Sequence, residues 1–336
     1  MFSLIQLIHP EAGRRIAAVD GDRCRLIDGH TSIHGVASFV LRSDTSLAAE
    51  IESSLGRNYQ DYDAIYHGRS EWRLLPAYDH PGEPSRCLVA GTGLTHRASV
   101  DNRQAMHEQD GGGETQVTDS MRIYEWGLQG GRPEPGNVGV SPEWFYKGTG
   151  SILRAHGESL VVPAFAGDGG EEPEVAGAYI IDSEGNPRRI GFATGNEFSD
   201  HVTEKKNYLY LAPSKLRTCA IGPELLLDPD FENVGGDVSI ERNGNVVWSR
   251  TIATGEANMS HSLANLEHHH FKYLPHRRPD DAHVFFFGAD AFSFGAGVEL
   301  EDGDVMAISW NGFGRPLKNP LRIEPDEETL VRVEPL

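Results

Sequence analysis

The chain has 336 residues, 38% of them apolar, and its 50 acidic against 30 basic side chains give a net charge of −20. That balance argues against a nucleic-acid partner or an anionic membrane surface, which need clustered Lys and Arg, but it leaves room for a small anionic substrate held by local cations. No apolar run reaches the roughly 18 residues that a membrane-spanning helix needs, and the widely spaced cysteines Cys24, Cys87 and Cys219 fit a reduced, cytoplasmic protein rather than a disulfide framework.

The start, Met1 to Arg15, is too short in its apolar part for a signal core, and its charge lies on the wrong side. Arg15 to Asp28 reads as two short strands around Asp20-Gly21-Asp22, and Thr45 to Leu55 as a helix with Leu47, Ile51 and Leu55 on one face. Pro76 to Pro84 is a Pro/Gly-rich connector, so a small α+β domain is expected over residues 1–78 and a larger one over 85–336. Cys87 to Leu94 is a strand running into a glycine turn, and Met121 to Trp126 carries a strand-like pattern inside a glycine-rich stretch. Further on, Asp237 to Trp248 alternates around Asn243-Gly244, a hairpin signal. Ser262 to Leu274 reads as a helix, His283 to Phe287 as a buried strand, and Val298 to Trp310 as a strand pair around Asp302-Gly303-Asp304. The expected fold is mixed and mostly β.

Chemistry concentrates between Glu171 and Glu197. Val175 to Ile181 and Arg189 to Ala193 read as two strands with the turn between them. Residues two apart on a strand share a face, so Glu172 and Glu174 project together. A turn centred between Glu184 and Gly185 puts residue 172 opposite residue 197, which brings the Glu197 carboxylate towards the other two. Three converging carboxylates repel unless a cation sits among them, and oxygen-only ligands select a hard ion, Mg²⁺, Mn²⁺ or Ca²⁺, over Zn²⁺. The same spacing also fits a solvated acidic hairpin in an acidic protein.

Motif order adds to this. Phe145-Tyr146-Lys147, Glu172-x-Glu174, Asn196-Glu197-Phe198-Ser199, Lys215, Ile221-Gly222-Pro223, Arg278 to Gly288, Val298 to Val305 and Gly312 to Pro320 follow one another in an order that resembles the fumarylacetoacetate hydrolase family over about residues 85–325. The resemblance implies a β-roll catalytic domain and a homodimer or homotetramer. It also implies a Mg²⁺ site at Glu172, Glu174 and Glu197, with Lys147 and Lys215 reaching a 2-oxo acid. Two departures narrow the chemistry. Glu197 stands where the family usually has Asp, and Ser99 and Asn102 stand where its hydrolases have a His–Glu pair. Without that pair an attacking water lacks its base, so the resemblance points to the branch that dehydrates 2-keto-3-deoxy sugar acids. Lys215 and His96 are the candidate proton carriers. Lys147, Arg97, Thr95, Ser99, Thr218 and Asp290 are candidates for substrate contact. The alternatives are a hydrolase of 2,4-dioxo acids and a sugar-acid-binding protein with a vestigial site.

Other signals carry less. Gly91-Thr-Gly93 lacks a third glycine and a following βαβ unit, so a dinucleotide site has little footing. His268-His269-His270 would point about 100° apart on a helix and cannot chelate together. His107-Glu108 is a candidate replacement for the missing pair or a plain surface loop, and Tyr124-Glu125-Trp126 a lid edge or a packed aromatic strand.

Overall fold

Strand β1 (Ser3–His9) opens an antiparallel meander with β2 (Gly13–Asp20) and β3 (Arg23–Ile27), the turn between the last two made by Gly21 at φ +61°. Two helices follow, α1 (Ile33–Val40) and α2 (Leu47–Ser53), each started by a serine, Ser32 or Ser46, whose hydroxyl accepts from a first-turn amide. Then come β4 (Leu55–Asp61), α3 (Tyr62–Tyr66) and β5 (Arg73–Leu74). This computed structural model describes residues 2–97, 118–325 and 327–336. Ser99, Asn102, His107, Glu108 and the Gly111 to Gly113 run lie outside the described residues.

Past the connector the chain adds β6 (Cys87–Gly91), α4 (Asp119–Gly130), β7 (Phe145–Thr149), β8 (Leu153–Arg154), β9 (Leu160–Val162), β10 (Pro173–Ile181) and β11 (Pro187–Asn196). Two short helices, α5 (His201–Lys206) and α6 (Leu211–Lys215), lead into β12 (Cys219–Leu226), β13 (Val234–Arg242) and β14 (Asn245–Thr254). Helix α7 (Leu263–Phe271) and strands β15 (Ala282–Phe286), β16 (Val305–Trp310) and β17 (Leu317–Ile323) complete the order.

A 12-stranded sheet runs β4-β3-β2-β1-β12-β11-β10-β15-β6-β7, with β5 on β1 and β8 on β12; a second sheet runs β14-β13-β16-β17-β9. Strand β10 is buried at every residue, so it faces apolar layers on both sides. Ala176, Ala178 and Ile180 join Leu4, Ile16 and Ile33 in one core, while Val175, Tyr179 and Ile181 join Val238, Ile308 and Trp310 in another. The period of two along one strand thus glues the N-terminal strands to one face and the second sheet to the other. The connector at Pro76 to Pro84 does not separate two sheets, because β1 pairs with β12.

Two elements differ from expectation. Met121 to Trp126 lies in helix α4, not a strand, because Thr118 caps its first turn through Met121 N and Tyr124 packs on Leu94. Of the expected pair around Asp302-Gly303-Asp304 only β16 is a strand, since the Asp304 carboxylate accepts from Glu301 N and from Arg242, holding the preceding segment as a turn.

Candidate active site

At its site end the β10–β11 hairpin has the expected register, which it reaches through a one-residue shift at Ala178/Tyr179; nearer the turn Tyr179 pairs with Arg189 and Ile181 with Pro187. Pro173 pairs with Asn196 and Glu174 with Gly195, and beyond the last pair Glu197 N donates to Glu172 O at 3.0 Å. Asn196 Oδ1 accepts from the amides of Glu172 and Phe198, which pins both strand ends together. The three carboxylates therefore meet: each of Glu172, Glu174 and Glu197 offers an oxygen within 4.8 Å of the others, and all three residues are buried.

Lysines enter from two directions. Lys215, at the end of α6, puts Nζ 2.8 Å from both oxygens of Glu172, 3.0 Å from Glu197 Oε2 and 3.0 Å from Ser199 Oγ, and 4.8 Å over the Phe145 ring. Lys147 comes from β7. Its Nζ donates to the carbonyls of Glu197, Phe198 and Lys215 at 2.9–3.0 Å and also pairs with Glu197 Oε1. The resemblance implies that Lys147 reaches substrate; in the fold its ammonium is wholly buried and ties together the chain turns that carry Glu197 and Lys215.

The electrostatics follow from this crowding. Burial, then repulsion from Glu197 and Glu172, pushes the Glu174 carboxyl well above the ordinary range, with Gly288 N donating to its Oε2 at 2.7 Å. Burial also lifts Glu197, to about 8, against the pull of Lys147 and Lys215. Burial would raise Glu172 too, but Lys215 and the hydrogen bonds from its neighbours hold it well below the usual range. Lys215 itself is raised, because Glu172 and Glu197 outweigh its desolvation. A buried cluster of three carboxylates in which two resist ionisation has the character of a hard-cation site, and its all-oxygen donor set fits a hard divalent ion such as Mg²⁺.

The other predicted residues fall elsewhere. His96 is buried between Thr95 Oγ1 at 2.9 Å and Thr254 Oγ1 at 3.1 Å, and burial lowers its pKa to about 4. Both ring nitrogens are engaged, so it is a wall residue, not a mobile proton carrier. Thr95 Oγ1 also donates to Phe287 O, beside the Gly288 that supports Glu174. Arg97 is exposed. Thr218 Oγ1 accepts from Val161 N and Asp290 Oδ2 from Ala253 N, which binds backbone of neighbouring strands.

Three side chains at the site have no role assigned from the sequence. Ser199 bridges Lys215 Nζ and Glu197 O. His201 Nε2 lies 3.0 Å from Glu172 Oε1. Glu143, buried, accepts from Tyr208 Oη at 2.8 Å and abuts Gly93, where a Cβ would lie 1.8 Å from its Oε2 and 3.7 Å from the Phe145 ring. Glu143 thus shares a wall with the ring that faces Lys215, at the turn that opens the segment holding Ser99 and Asn102.

No protein-family model matches the chain. It is 27% identical over 180 residues to 2-dehydro-3-deoxy-D-arabinonate dehydratase of Saccharolobus solfataricus, and 28% identical over 178 residues to a probable 2-keto-3-deoxyxylonate dehydratase of Haloferax volcanii. Each match covers 52% of this chain and just over half, 57% and 58%, of the relative's own length. Among solved structures, 2-keto-3-deoxy-D-arabinonate dehydratase complexed with magnesium and 2,5-dioxopentanoate has a TM-score of 0.69 at 18% identity, covering 96% of this chain and all of that one. A 5-carboxymethyl-2-hydroxymuconate delta-isomerase from Mycobacterium smegmatis follows at 0.58 and 17%, covering 97% of this chain and all of that one. In fold and in motif order, the chain resembles the 2-keto-3-deoxy sugar acid dehydratase branch of the fumarylacetoacetate hydrolase family.

Proposed function

We propose that this chain is a Mg²⁺-dependent hydro-lyase that converts 2-keto-3-deoxypentonate to 2-oxoglutarate semialdehyde in a non-phosphorylative breakdown of pentoses. The observation that carries the reading is the buried triad Glu172, Glu174 and Glu197 with Lys215 wedged into it; the names of the similar proteins supply the substrate class. Held by those three carboxylates, Mg²⁺ would polarise a carbonyl and balance an anionic 2-oxo acid.

The chain's own residues divide the remaining work. Lys147 and Ser199 hold the backbone and the lysine that shape the triad. Lys215, fastened to two carboxylates, serves as a fixed positive charge rather than a base. Proton movement falls to Glu143: with Tyr208 orienting Oε1, its carboxyl takes the C3 proton at Oε2 and returns it to the departing C4 hydroxyl. Proton and hydroxyl leave as water; a proton then passes from C5 to C3 of the unsaturated product, and the resulting C4–C5 enol gains a proton at C4 as it loses its hydroxyl proton, giving the aldehyde. We assign the reaction to the cytoplasm, where the buried thiols Cys24, Cys87 and Cys219 stay reduced, and expect a homodimer or homotetramer. Among the described residues no helix is long and apolar enough to cross a membrane.

Incubation of the protein with 2-keto-3-deoxypentonates and with 2,4-dioxo acids, with and without a chelator, tests the reading. Chelator-sensitive semialdehyde formation is expected. Pyruvate release from a dioxo acid would favour a hydrolase, and unchanged substrate a binding protein.

A further inference from the structure

We propose that His201 is a positioning residue that fixes the Glu172 carboxylate for divalent-cation binding. The inference rests on the reading of Glu172 as a ligand and adds a residue to that site. His201 is 3% exposed and opens helix α5. Its backbone is anchored by Asp200, whose carboxylate accepts from Thr203 N, Gly167 N and Arg217. The imidazole lies flat on Phe292, with ring centroids 4.8 Å apart at 8°, and Phe294 closes a second side at 5.2 Å. On the third side Gly170 leaves only bare backbone, since a Cβ there would come within 2.8 Å of Nδ1. A ring held this tightly has little rotamer freedom, so its Nε2–H has one direction.

That direction is Glu172. The Nε2 contact to Glu172 Oε1 lies at 3.0 Å, and among the described residues Nδ1 has no hydrogen-bond partner. Burying an imidazole beside Phe292 and Phe294 costs desolvation, and the contact with Glu172 is the largest interaction that offsets it, with the Asp168 and Glu204 carboxylates adding to it. The loop that supplies the stack also fixes the preceding residue, because Ser293 N and Oγ donate to Glu171 at 2.6 and 2.9 Å. The loop therefore holds the approach to the triad from one side and the ring that orients Glu172 from the other. An outer partner of this kind sets ligand orientation, and its loss typically weakens metal binding 10- to 100-fold.

Two substitutions separate the donor from the ring. His201→Phe keeps a flat ring on Phe292 but removes the Nε2–H; His201→Gln keeps a donor of similar reach and removes the stack. Calorimetric titration of the chelator-treated full chain with Mn²⁺ should show affinity falling about 10- to 100-fold in His201→Phe, with partial recovery in His201→Gln. The substrate KM should rise more than kcat falls. Wild-type affinity in a folded His201→Phe overturns the role of His201 alone, whereas a wild type that binds no Mn²⁺ overturns the metal-site reading with it. Should His201→Phe fail to fold, Phe292→Leu loosens the ring without removing the donor; a several-fold loss of affinity supports the proposal, and no change overturns it.

Discussion

The two buried lysines show how one residue type takes opposite parts within a few ångströms. Lys147 satisfies three carbonyl oxygens and one carboxylate, so Lys147→Met leaves buried acceptors unpaired and Glu197 uncompensated. Removing one partner of such a cluster typically costs about 3–5 kcal/mol. Urea denaturation should show a loss of that size before any question of activity arises, and a variant of wild-type stability would remove Lys147 from its tying role. Glu174 is the contrasting case. Glu174→Gln keeps an oxygen to accept from Gly288 N and removes one of three mutually repelling carboxylates. The chelator-treated variant should unfold at or above the wild-type temperature, while the proposed dehydratase activity falls by roughly 100-fold or more, loss of a ligand costing at least as much as loss of an outer partner. Full activity in that variant would take Glu174 out of the site.

Among elements, the β10–β11 hairpin was the most legible, because its polar turn at Asp182 to Gly185 and its run of strand formers mark both strands, although the one-residue shift at Ala178/Tyr179 that sets the pairing at the site end leaves no mark in the sequence. The triad is readable all the same, since spacing along two strands decides which carboxylates meet. Helix α4 was not: Tyr124-Glu125-Trp126 has strand-forming composition, and the cap at Thr118 together with packing on Leu94 overrides it. His201 and Glu143 were invisible for a related reason. They meet Glu172 and Tyr208 across 29 and 65 residues of sequence, through packing that no local pattern encodes. The turn after β15 is the element on which the site leans most. Gly288 has φ +98°, and a Cβ there would lie 2.0 Å from Thr95 Oγ1. Gly288→Ala must push the turn away and take its N–H off Glu174. A displacement of this kind is worth on the order of 100-fold in rate, so kcat should drop that far while far-ultraviolet dichroism stays unchanged; an unaltered kcat would mean that the turn does not position Glu174.

At the scale of the whole molecule, the N-terminal strands and the triad-bearing strands share one sheet, and Leu4 and Ile16 share a core with Ala176 and Ala178 of β10. The layers also bury histidines that are not part of the triad. Trp144 Nε1 donates to His270 Nδ1, which leaves His270 Nε2–H to donate to His283 Nδ1 at 3.0 Å. Burial lowers His283 to about 3 and His270 well below its ordinary value, so both are neutral in the folded protein. In the unfolded chain they titrate near 6.5. Above that pH neither state gains a proton and the pair is neutral in both. As pH falls from 6.5 towards 3 the unfolded chain takes up protons that the folded one refuses, and each such group withdraws up to about 1.4 kcal/mol of stability per pH unit. Carboxyl groups titrate over part of the same range, so the pair is best isolated by difference. His283→Phe fills the same aromatic niche against Phe271 and removes one titrating ring. At pH 7.5 it should be less stable than wild type by about 1 kcal/mol, because His270 Nε2–H loses its acceptor. Between pH 6.5 and 4.5 the gap should close and reverse, moving by about 2–3 kcal/mol in favour of the variant. Urea melts of both proteins across that range provide the check, and parallel stability curves would mean that His283 is not held neutral in the core.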